Sequence, residues 1–293
     1  MDPAVHMIQK SYKALRYYQF SSLQDDGLLH GVFTRLGGVS EGIYSSLNLS
    51  RSTGDSLEPV RENRRRMFEA LGLLPEQSLT SWLIHSNTVR VVSKTDLGQD
   101  DVHADAMITT TRGLALTLRF ADCVPVLFYD PQRGAAGIAH AGWVGLTSGV
   151  LPATVQAMQK AFGCQPVDIR ACIGPSIGPD WFEVGPDVAA RIQSAVPDPI
   201  IIYPHVAAND HEPATHGVGS SMQTQDRFAK THDDARIKPH VDLWRAAESQ
   251  LRTAGVHEIE SAQMCTASNT AEWFSHRAEK GRTGRFGAAI MLS

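Results

Sequence analysis

The chain has 293 residues, 42% of them hydrophobic and 20% charged, which is typical of a globular protein and excludes a disordered or fibrous one. Its net charge is −4, so it lacks the strong positive field that attracts nucleic acid. No apolar run of about 18 residues occurs, which argues against a membrane span, and the first thirty residues lack the apolar core and cleavage site of a signal peptide. We therefore expect a cytoplasmic protein.

Four segments carry apolar residues at the spacing of an amphipathic helix. In chain order the predicted helices are 59–71, 147–162, 187–196 and 243–253. Asp55 or Ser56 can cap the first of them and Asp242 the last. Glycines at positions 72, 163 and 255 mark three of the carboxyl ends.

Apolar runs rich in β-branched residues predict the strands, which are 106–110, 114–120, 124–129, 135–139, 169–173, 258–265 and 288–292. The second, third and fourth of these follow one another closely, and such short connections predict antiparallel neighbours. Together with the helices they predict an α+β fold around a mixed β-sheet, not a strict βαβ array.

A polar segment near 203–240 interrupts this pattern. It contains five histidines, which are His205, His211, His216, His232 and His240. Because their spacing is irregular, we interpret the segment as a surface insertion in preference to a second metal site.

Three potential metal ligands, His85, Cys123 and His140, follow or end apolar stretches. The chain holds only four cysteines, and they share no CxxC spacing, so neither a disulfide framework nor a zinc finger is indicated. One thiolate and two imidazoles are good zinc ligands, and three protein ligands leave a fourth position open for catalysis. The spacing alone leaves both a metal site and inert core residues open.

Several motifs agree, in order, with one family from about residue 31 to the carboxyl terminus. They include Phe33-Thr-Arg35-Leu-Gly-Gly-Val-Ser40, Ser46-Leu-Asn48, Arg61-Glu-Asn63, Ala104-Asp-Ala106, Ala121-Asp-Cys123-Val-Pro125, His140-Ala-Gly-Trp143, Val241-Asp-Leu-Trp244 and Thr283-Gly-Arg285. With these motifs the chain resembles the laccase-domain (YfiH-like) family of purine nucleoside phosphorylases, also described as polyphenol oxidases. The resemblance implies a YfiH-like domain over 31–293 after an N-terminal extension over 1–30. Its fold would be α+β with mixed β-sheets sandwiched by helices, related to a cysteine-hydrolase-like superfamily.

The resemblance also implies an activity. Members of the family are described as cleaving adenosine, inosine and methylthioadenosine with phosphate, which gives the base and ribose 1-phosphate or its methylthio analogue. They are also described as deaminating adenosine. The family's metal ligands map onto His85, Cys123 and His140, which would hold Zn²⁺, with copper as a substitute. The arginine of the family's opening motif maps onto Arg35. Purine nucleosides and phosphate would be the partners, and the chain would be a monomer or a homodimer.

The chemistry of such a reaction suggests roles for further residues. Catalytic candidates are Arg35, His85 and Cys123, with Asp122 as an acid or base beside the metal. Binding of phosphate and ribose calls for fixed cations and hydrogen-bond donors, for which the candidates are Arg35, Ser46, Asn48, Arg277 and Arg285.

The sequence departs from the family pattern at Leu83, Ser86 and His276. These positions leave the metal ligands unchanged, so the departures concern the choice of substrate.

Three alternatives use the same residues. A cysteine-type amide hydrolase acting on peptidoglycan precursors would employ Cys123 as its nucleophile. A copper polyphenol oxidase is a second alternative, although none of the 12 histidines forms a His-x-His pair. A non-enzymatic zinc-binding protein is the third, although a closed structural site usually has four protein ligands.

Overall fold

The computed structural model describes residues 7–99, 102–202 and 238–293. Within these ranges the strands are β1 Met7–Tyr12, β2 Leu15–Phe20, β3 Leu28–Phe33, β4 Ser78–Thr80, β5 Val89–Val91, β6 Ala106–Thr109, β7 Ala115–Phe120, β8 Val124–Asp130, β9 Ala135–Ala141, β10 Arg170–Ile173, β11 Ile201–Ile202, β12 His240–Val241, β13 Glu258–Ser261 and β14 Phe286–Leu292. The helices are α1 Leu57–Ala70, α2 Trp143–Thr147, α3 Val150–Phe162, α4 Pro186–Ser194 and α5 Leu243–Thr253.

Twelve strands form two six-stranded sheets. The first has the order β1-β2-β3-β14-β7-β4 and the second the order β13-β10-β8-β9-β6-β5, while β11 and β12 form a separate pair. Most neighbours are antiparallel, but β4 with β7, β5 with β6, and β10 with β13 are parallel. Both large sheets are therefore mixed, as predicted.

The two sheets stack, and helices cover both outer faces. Leu116 and Phe120 of β7 share one core cluster with Leu127 of β8 and Ile138 of β9, which places that core between the sheets. Residues of α3 and α5 pack on the other face of the second sheet, whereas Met67 and Phe68 of α1 pack on the first sheet. The prediction of mixed sheets sandwiched by helices is confirmed.

The predicted run of three antiparallel neighbours is correct for β8 and β9 but wrong for β7. Strands β8 and β9 pair over their full length, whereas β7 pairs with β14 and β4 in the first sheet. The three residues between β7 and β8 thus carry the chain from one sheet to the other. A short connection alone does not distinguish such a crossing from a hairpin.

The helices agree with the sequence pattern except in one region. The predicted helix 147–162 corresponds to α3, which begins three residues later at Val150 because Gly149 adopts a φ of 75° before it, and the short helix α2 that precedes it was not predicted. Asp242 caps α5 through a bond from the amide of Arg245, as expected. Ser56 is the N-cap of α1, but its side chain makes no capping bond. No described helix is both long and apolar enough to cross a membrane.

The predicted N-terminal extension contributes to the first sheet. Strands β1 and β2 pair with each other, and β2 pairs with β3. These strands escaped prediction because their exposed residues are polar, so the apolar alternation is weak. Most of the predicted insertion, including four of its five histidines, lies outside the described residues, but β11 pairs with β12 beside its two ends.

Candidate metal centre and adjoining cavity

The three predicted ligands come from three separate parts of the fold. His85 lies in the loop between β4 and β5, Cys123 directly precedes β8, and His140 lies on β9. Their ligand atoms all lie within 4.8 Å of one another, and the two imidazole rings meet edge to face with centroids 5.2 Å apart. Pairing of Pro125 with His140 brings Cys123 to the start of the same strand pair. Among the described residues this is the group of donors that could hold a metal ion.

Asp105 fixes the orientation of His140. The carboxylate is fully buried, and its Oδ1 lies 3.1 Å from Nδ1 of His140. The backbone is also engaged, since the amide of His140 donates to the carbonyl of Asp105 at 2.7 Å. With Nδ1 directed at a carboxylate, Nε2 is the ring atom left for a metal, an arrangement common around bound zinc.

The same carboxylate holds the His85 loop. It accepts the backbone amides of Ile84, His85 and Ser86 at 3.3, 3.1 and 2.7 Å, and the hydroxyl of Ser86 at 3.0 Å. His85 itself has a φ of 55°, a left-handed conformation that costs free energy and persists where surrounding contacts enforce it. Asp105 supplies those contacts and thereby holds His85 beside Cys123.

A missing side chain at Gly142 gives the sulfur its space. A Cβ placed there would lie 2.8 Å from Sγ of Cys123 and 3.6 Å from Cδ2 of His85. The first distance is shorter than packed carbon and sulfur atoms tolerate. Any residue could adopt the φ of −73° found here. Glycine is therefore required for the close approach of the sulfur and not for the backbone conformation.

The electrostatics of the three residues favour a thiolate. Burial opposes ionisation of Cys123, but His140 and His85 outweigh burial and lower the pKa of the thiol to about 6. Burial also opposes protonation of His140, but Cys123 and Asp105 outweigh it and raise the pKa of His140 to about 9. The hydrogen bond to Cys123 is the main cause of a raised pKa at His85. Two imidazoles thus compensate one buried sulfur anion.

This donor set fits a zinc ion. A thiolate and two imidazoles are borderline-soft ligands that suit zinc and also copper. A bound divalent cation would take over the compensation of the thiolate that the protonated imidazoles provide without it. Three protein donors, of which His85 is exposed, would leave room for a further ligand on such an ion.

A cavity of about 420 Å³ adjoins the three donors, which is a size typical of small-molecule sites. Its lining is mixed apolar and polar, and consists of His85, Ala121, Asp122, Cys123, Gly142, Trp143, Ile177, Phe182, Leu243, His276, Arg277 and Arg285. His276, one of the departures from the family pattern, thus lies in this wall.

Two predicted arginines line the cavity. Arg277 donates from Nη1 to the carbonyls of Trp181 and Glu183 at 3.0 and 2.9 Å, so its position is fixed. Arg285 donates from Nη1 to the carbonyls of Thr283 and Gly284 at 3.2 and 2.8 Å. Burial lowers the pKa of Arg285, partly offset by the charges of Asp122 and Cys123. Arg285 nevertheless remains cationic at neutral pH, as guanidinium groups do in proteins.

Asp122 also lines the cavity, but its oxygens are engaged. Oδ1 accepts the hydroxyl of Thr266 at 2.6 Å, and Oδ2 accepts the amide of Arg277 at 2.7 Å. The carboxylate therefore ties the chain beside Cys123 to the segment that carries Arg277.

The structure places Arg35 outside the cavity lining. Its guanidinium donates to the carbonyls of Ser45 and Thr270 at 2.8 Å each and to Glu279 at 3.0 Å. It also lies 4.3 Å from the ring centroid of Phe274. These contacts join two chain segments far apart in sequence, which is a structural function and leaves few donors for a substrate.

Ser46 and Asn48 belong to the same network. The hydroxyl of Ser46 donates to the carbonyl of Arg35 and accepts the amide of Gly38. Asn48 is fully buried, and its side chain bonds to Ser50, Asp55 and the amide of Arg285 among others. Neither side chain lines the cavity. Asn48 instead positions the backbone of Arg285.

Sequence reasoning assigned no role to Asp105 or Gly142. Both lie inside family motifs, Ala104-Asp-Ala106 and His140-Ala-Gly-Trp143. In each case the sequence contained a feature that could have indicated the role of the residue. An acidic residue at the start of an apolar strand and a glycine two residues after a candidate ligand both ask for a structural reason.

Comparison with known proteins identifies the family. The family model for multi-copper polyphenol oxidoreductase laccase matches residues 29–293. The chain belongs to this family. The family name refers to copper, whereas the described residues provide one three-donor group.

The curated relatives carry a different name. A purine nucleoside phosphorylase of Bacteroides thetaiotaomicron is 33% identical over 97% of this chain and 98% of its own length. The purine nucleoside phosphorylase YfiH of Escherichia coli is 34% identical over 88% of this chain and 91% of its own. Among solved structures, YlmD from Geobacillus stearothermophilus has a TM-score of 0.81 at 29% identity, covering 98% of this chain and 99% of its own.

Proposed function

We propose that this protein is a zinc-dependent purine nucleoside phosphorylase. It would cleave adenosine, inosine and methylthioadenosine with phosphate to the free base and ribose 1-phosphate, or its methylthio analogue, and would also deaminate adenosine. The observation that carries the proposal is the convergence of His85, Cys123 and His140 on a cavity with two arginines in its wall. The names of the curated relatives support the same activity.

When bound, zinc would supply a Lewis acid that polarises a substrate group or an oxygen nucleophile. His85, Cys123 and His140 would hold it. Asp105 orients His140 and fixes the loop of His85, so it would influence metal binding through these two residues.

In phosphorolysis an oxygen of phosphate forms a bond to C1′ of the ribose as the bond from C1′ to the purine nitrogen breaks. The base leaves with the electron pair and, in the balance of the reaction, takes up the proton that hydrogen phosphate loses. Positive charge develops on the ribose, so the phosphate dianion must be held close to C1′. We assign this task to Arg285 and Arg277, because both line the cavity and a guanidinium matches the geometry of phosphate oxygens.

In deamination, water adds to C6 of adenosine and ammonia leaves, which gives inosine. The zinc deaminases of nucleobases combine His-x-Glu with Pro-Cys-x-x-Cys, and this sequence contains neither motif. Since both oxygens of Asp122 already accept hydrogen bonds, we assign it to positioning Arg277, and not to proton transfer.

A product assay tests the proposal. Protein of measured zinc content is incubated with adenosine, with and without phosphate, and the products are separated. Adenine and ribose 1-phosphate, formed only with phosphate, support phosphorolysis, and inosine supports deamination. Absence of both products from zinc-loaded protein, with inosine and methylthioadenosine also unchanged, would reject the proposal.

A cysteine-type amide hydrolase is the second candidate. The observation that favours it is the thiol of Cys123, whose pKa of about 6 makes it a good nucleophile in the absence of a metal. The two candidates differ in their need for metal. A hydrolase of this kind would keep its activity after chelation and lose it on alkylation, whereas the phosphorylase would lose its activity on chelation.

A further inference from the structure

A second group of cations lies away from the metal donors, on the outer face of the first sheet. Side chains alternate along β7, so Leu118 and Phe120 point into the core between the sheets while Arg119 points to the opposite face. There it meets Arg64 of α1, and both line a small cleft. Its other lining residues are Ser50, Arg51, Ser52, Thr80, Ser81, Trp82 and Gln99.

The donors of Arg64 and Arg119 are only partly used. Arg119 donates to the hydroxyl of Thr80 at 2.7 Å and to the carbonyl of Ser81 at 3.0 Å. Arg64 donates from Nε to the carbonyl of Leu49 at 2.9 Å. In the part of the chain that the structure describes, neither arginine pairs with a carboxylate, and the terminal nitrogens of Arg64 have no acceptor. Arg51 has interactions of its own, so Arg64 and Arg119 are the two that matter here.

The charges in the cleft repel one another. Burial, and then the charges of Arg64 and Arg51, lower the pKa of Arg119 to about 9. Burial and Arg51 likewise lower the pKa of Arg64 to about 10. Both groups stay protonated at neutral pH, since a guanidinium does not lose its proton in proteins. A negative ligand would relieve this repulsion.

We propose that this cleft binds a small phosphate-type anion, either inorganic phosphate or the terminal phosphoryl group of a phosphomonoester. Two guanidinium groups provide donors in the geometry that suits tetrahedral oxyanions. Thr80 accepts from Arg119, so its own hydroxyl hydrogen remains available to an oxygen of the ligand.

The size of the cleft restricts the ligand. Its volume is about 30 Å³, and one water molecule needs roughly 10–15 Å³ on the same kind of measure. A nucleoside does not fit inside, so the organic part of a phosphomonoester would stay in the solvent. The cleft thus lies apart from the metal cavity, in which phosphate would be a substrate, and its binding of phosphate does not depend on the proposed activity.

Calorimetric titration with inorganic phosphate, at constant ionic strength with chloride as the replaced anion, tests the proposal on the zinc-loaded protein. The titrations use the Arg285→Met background, which removes one cation from the metal cavity. On this background Arg119→Met or Arg64→Met should weaken phosphate binding at least about tenfold. Arg90→Met is the matched control, because Arg90 is exposed on β5 and lies outside the cleft lining.

The phosphate affinities of the variants decide whether the cleft binds phosphate. Loss of binding in both cleft variants, with binding retained in the control, supports the site. Binding within about twofold of the control in both variants overturns it, as does absence of phosphate binding in the background protein. The two variants change different elements, β7 and α1, so if one variant fails to fold, the phosphate affinity of the other still tests the site. A hexose phosphate in place of phosphate then tells whether the site accepts a phosphoryl group that carries an organic substituent.

Discussion

Asp105 and His140 are joined twice, once through the side chains at 3.1 Å and once through the backbone at 2.7 Å. Pairing of β6 with β9 sets this relationship, because Ala106 lies opposite Ala139. The carboxylate then reaches across to the His85 loop. One buried acid thus connects two of the three candidate metal donors.

Replacing Asp105 with asparagine tests this connection. Asp105→Asn puts an amide among groups that donate, and we expect zinc affinity to fall by about 10–100-fold, as for other residues that orient metal ligands. Competition with a chromophoric chelator measures it. Asp130→Asn is the control, because Asp130 is equally buried and accepts two amides away from the site. Equal zinc affinity in both variants would contradict the role of Asp105.

Replacing Cys123 with serine separates the two mechanisms. A hydroxyl is harder and poorly ionised, so zinc affinity should fall by more than about a hundredfold in Cys123→Ser. Excess zinc should restore part of the adenosine turnover, since His85 and His140 remain. The measurement is turnover during a zinc titration. Wild-type protein that stays fully active after its metal has been removed and assayed would favour the nucleophile instead.

Adding one methyl group at Gly142 probes the space beside the sulfur. Its Cβ would lie 2.8 Å from Sγ of Cys123, so the sulfur must move and zinc affinity should fall by about tenfold or more. Gly27→Ala is the control, since its Cβ meets nothing closer than 3.4 Å. The chelator competition used for Asp105 measures both variants. Unchanged affinity in Gly142→Ala would show that the sulfur has room to spare.

Arg35 and Arg285 should respond differently to substitution. Arg35 is partly buried, with 12% of its side chain exposed, and is bonded to Glu279 and several carbonyls, so Arg35→Ala should lower the free energy of unfolding by about 2–4 kcal/mol. Arg285→Met should keep the fold but raise the KM for phosphate about tenfold or more. Urea denaturation and phosphate-dependent kinetics distinguish them. A stable, inactive Arg35→Ala would return Arg35 to the substrate site.

His30 should make the fold sensitive to acid. Burial lowers the pKa of His30 to about 4, and its Nε2 accepts the amide of Phe20 at 2.8 Å, a bond that requires this nitrogen to be unprotonated. A histidine whose pKa is depressed on folding contributes stability above its unfolded pKa, and that stability is lost as pH falls. We expect a loss of about 3 kcal/mol between pH 6.5 and pH 4. His30→Gln, which keeps an acceptor but does not titrate, should flatten this part of the stability profile in urea denaturation.

Local sequence patterns predicted many of the strands and helices of the fold. Strands β8, β9 and β14 are buried along their whole length, so their apolar runs are strong signals, and α5 has a capping aspartate and a clear apolar stripe. Strands β4 and β5 are three residues long. Such short strands carry too little periodicity to be recognised, because neighbouring strands and not their own sequence define them.

For the site, the sequence by itself identified His85, Cys123 and His140 as candidate ligands, because each stands inside a recognisable motif of neighbouring residues. The tertiary structure decided which polar groups serve them. Arg35 stands in a motif as clear as theirs, yet its guanidinium is turned to Thr270 and Glu279. The partners of a buried charge lie hundreds of residues away along the chain, and only the packing of separate elements fixes which of them it meets.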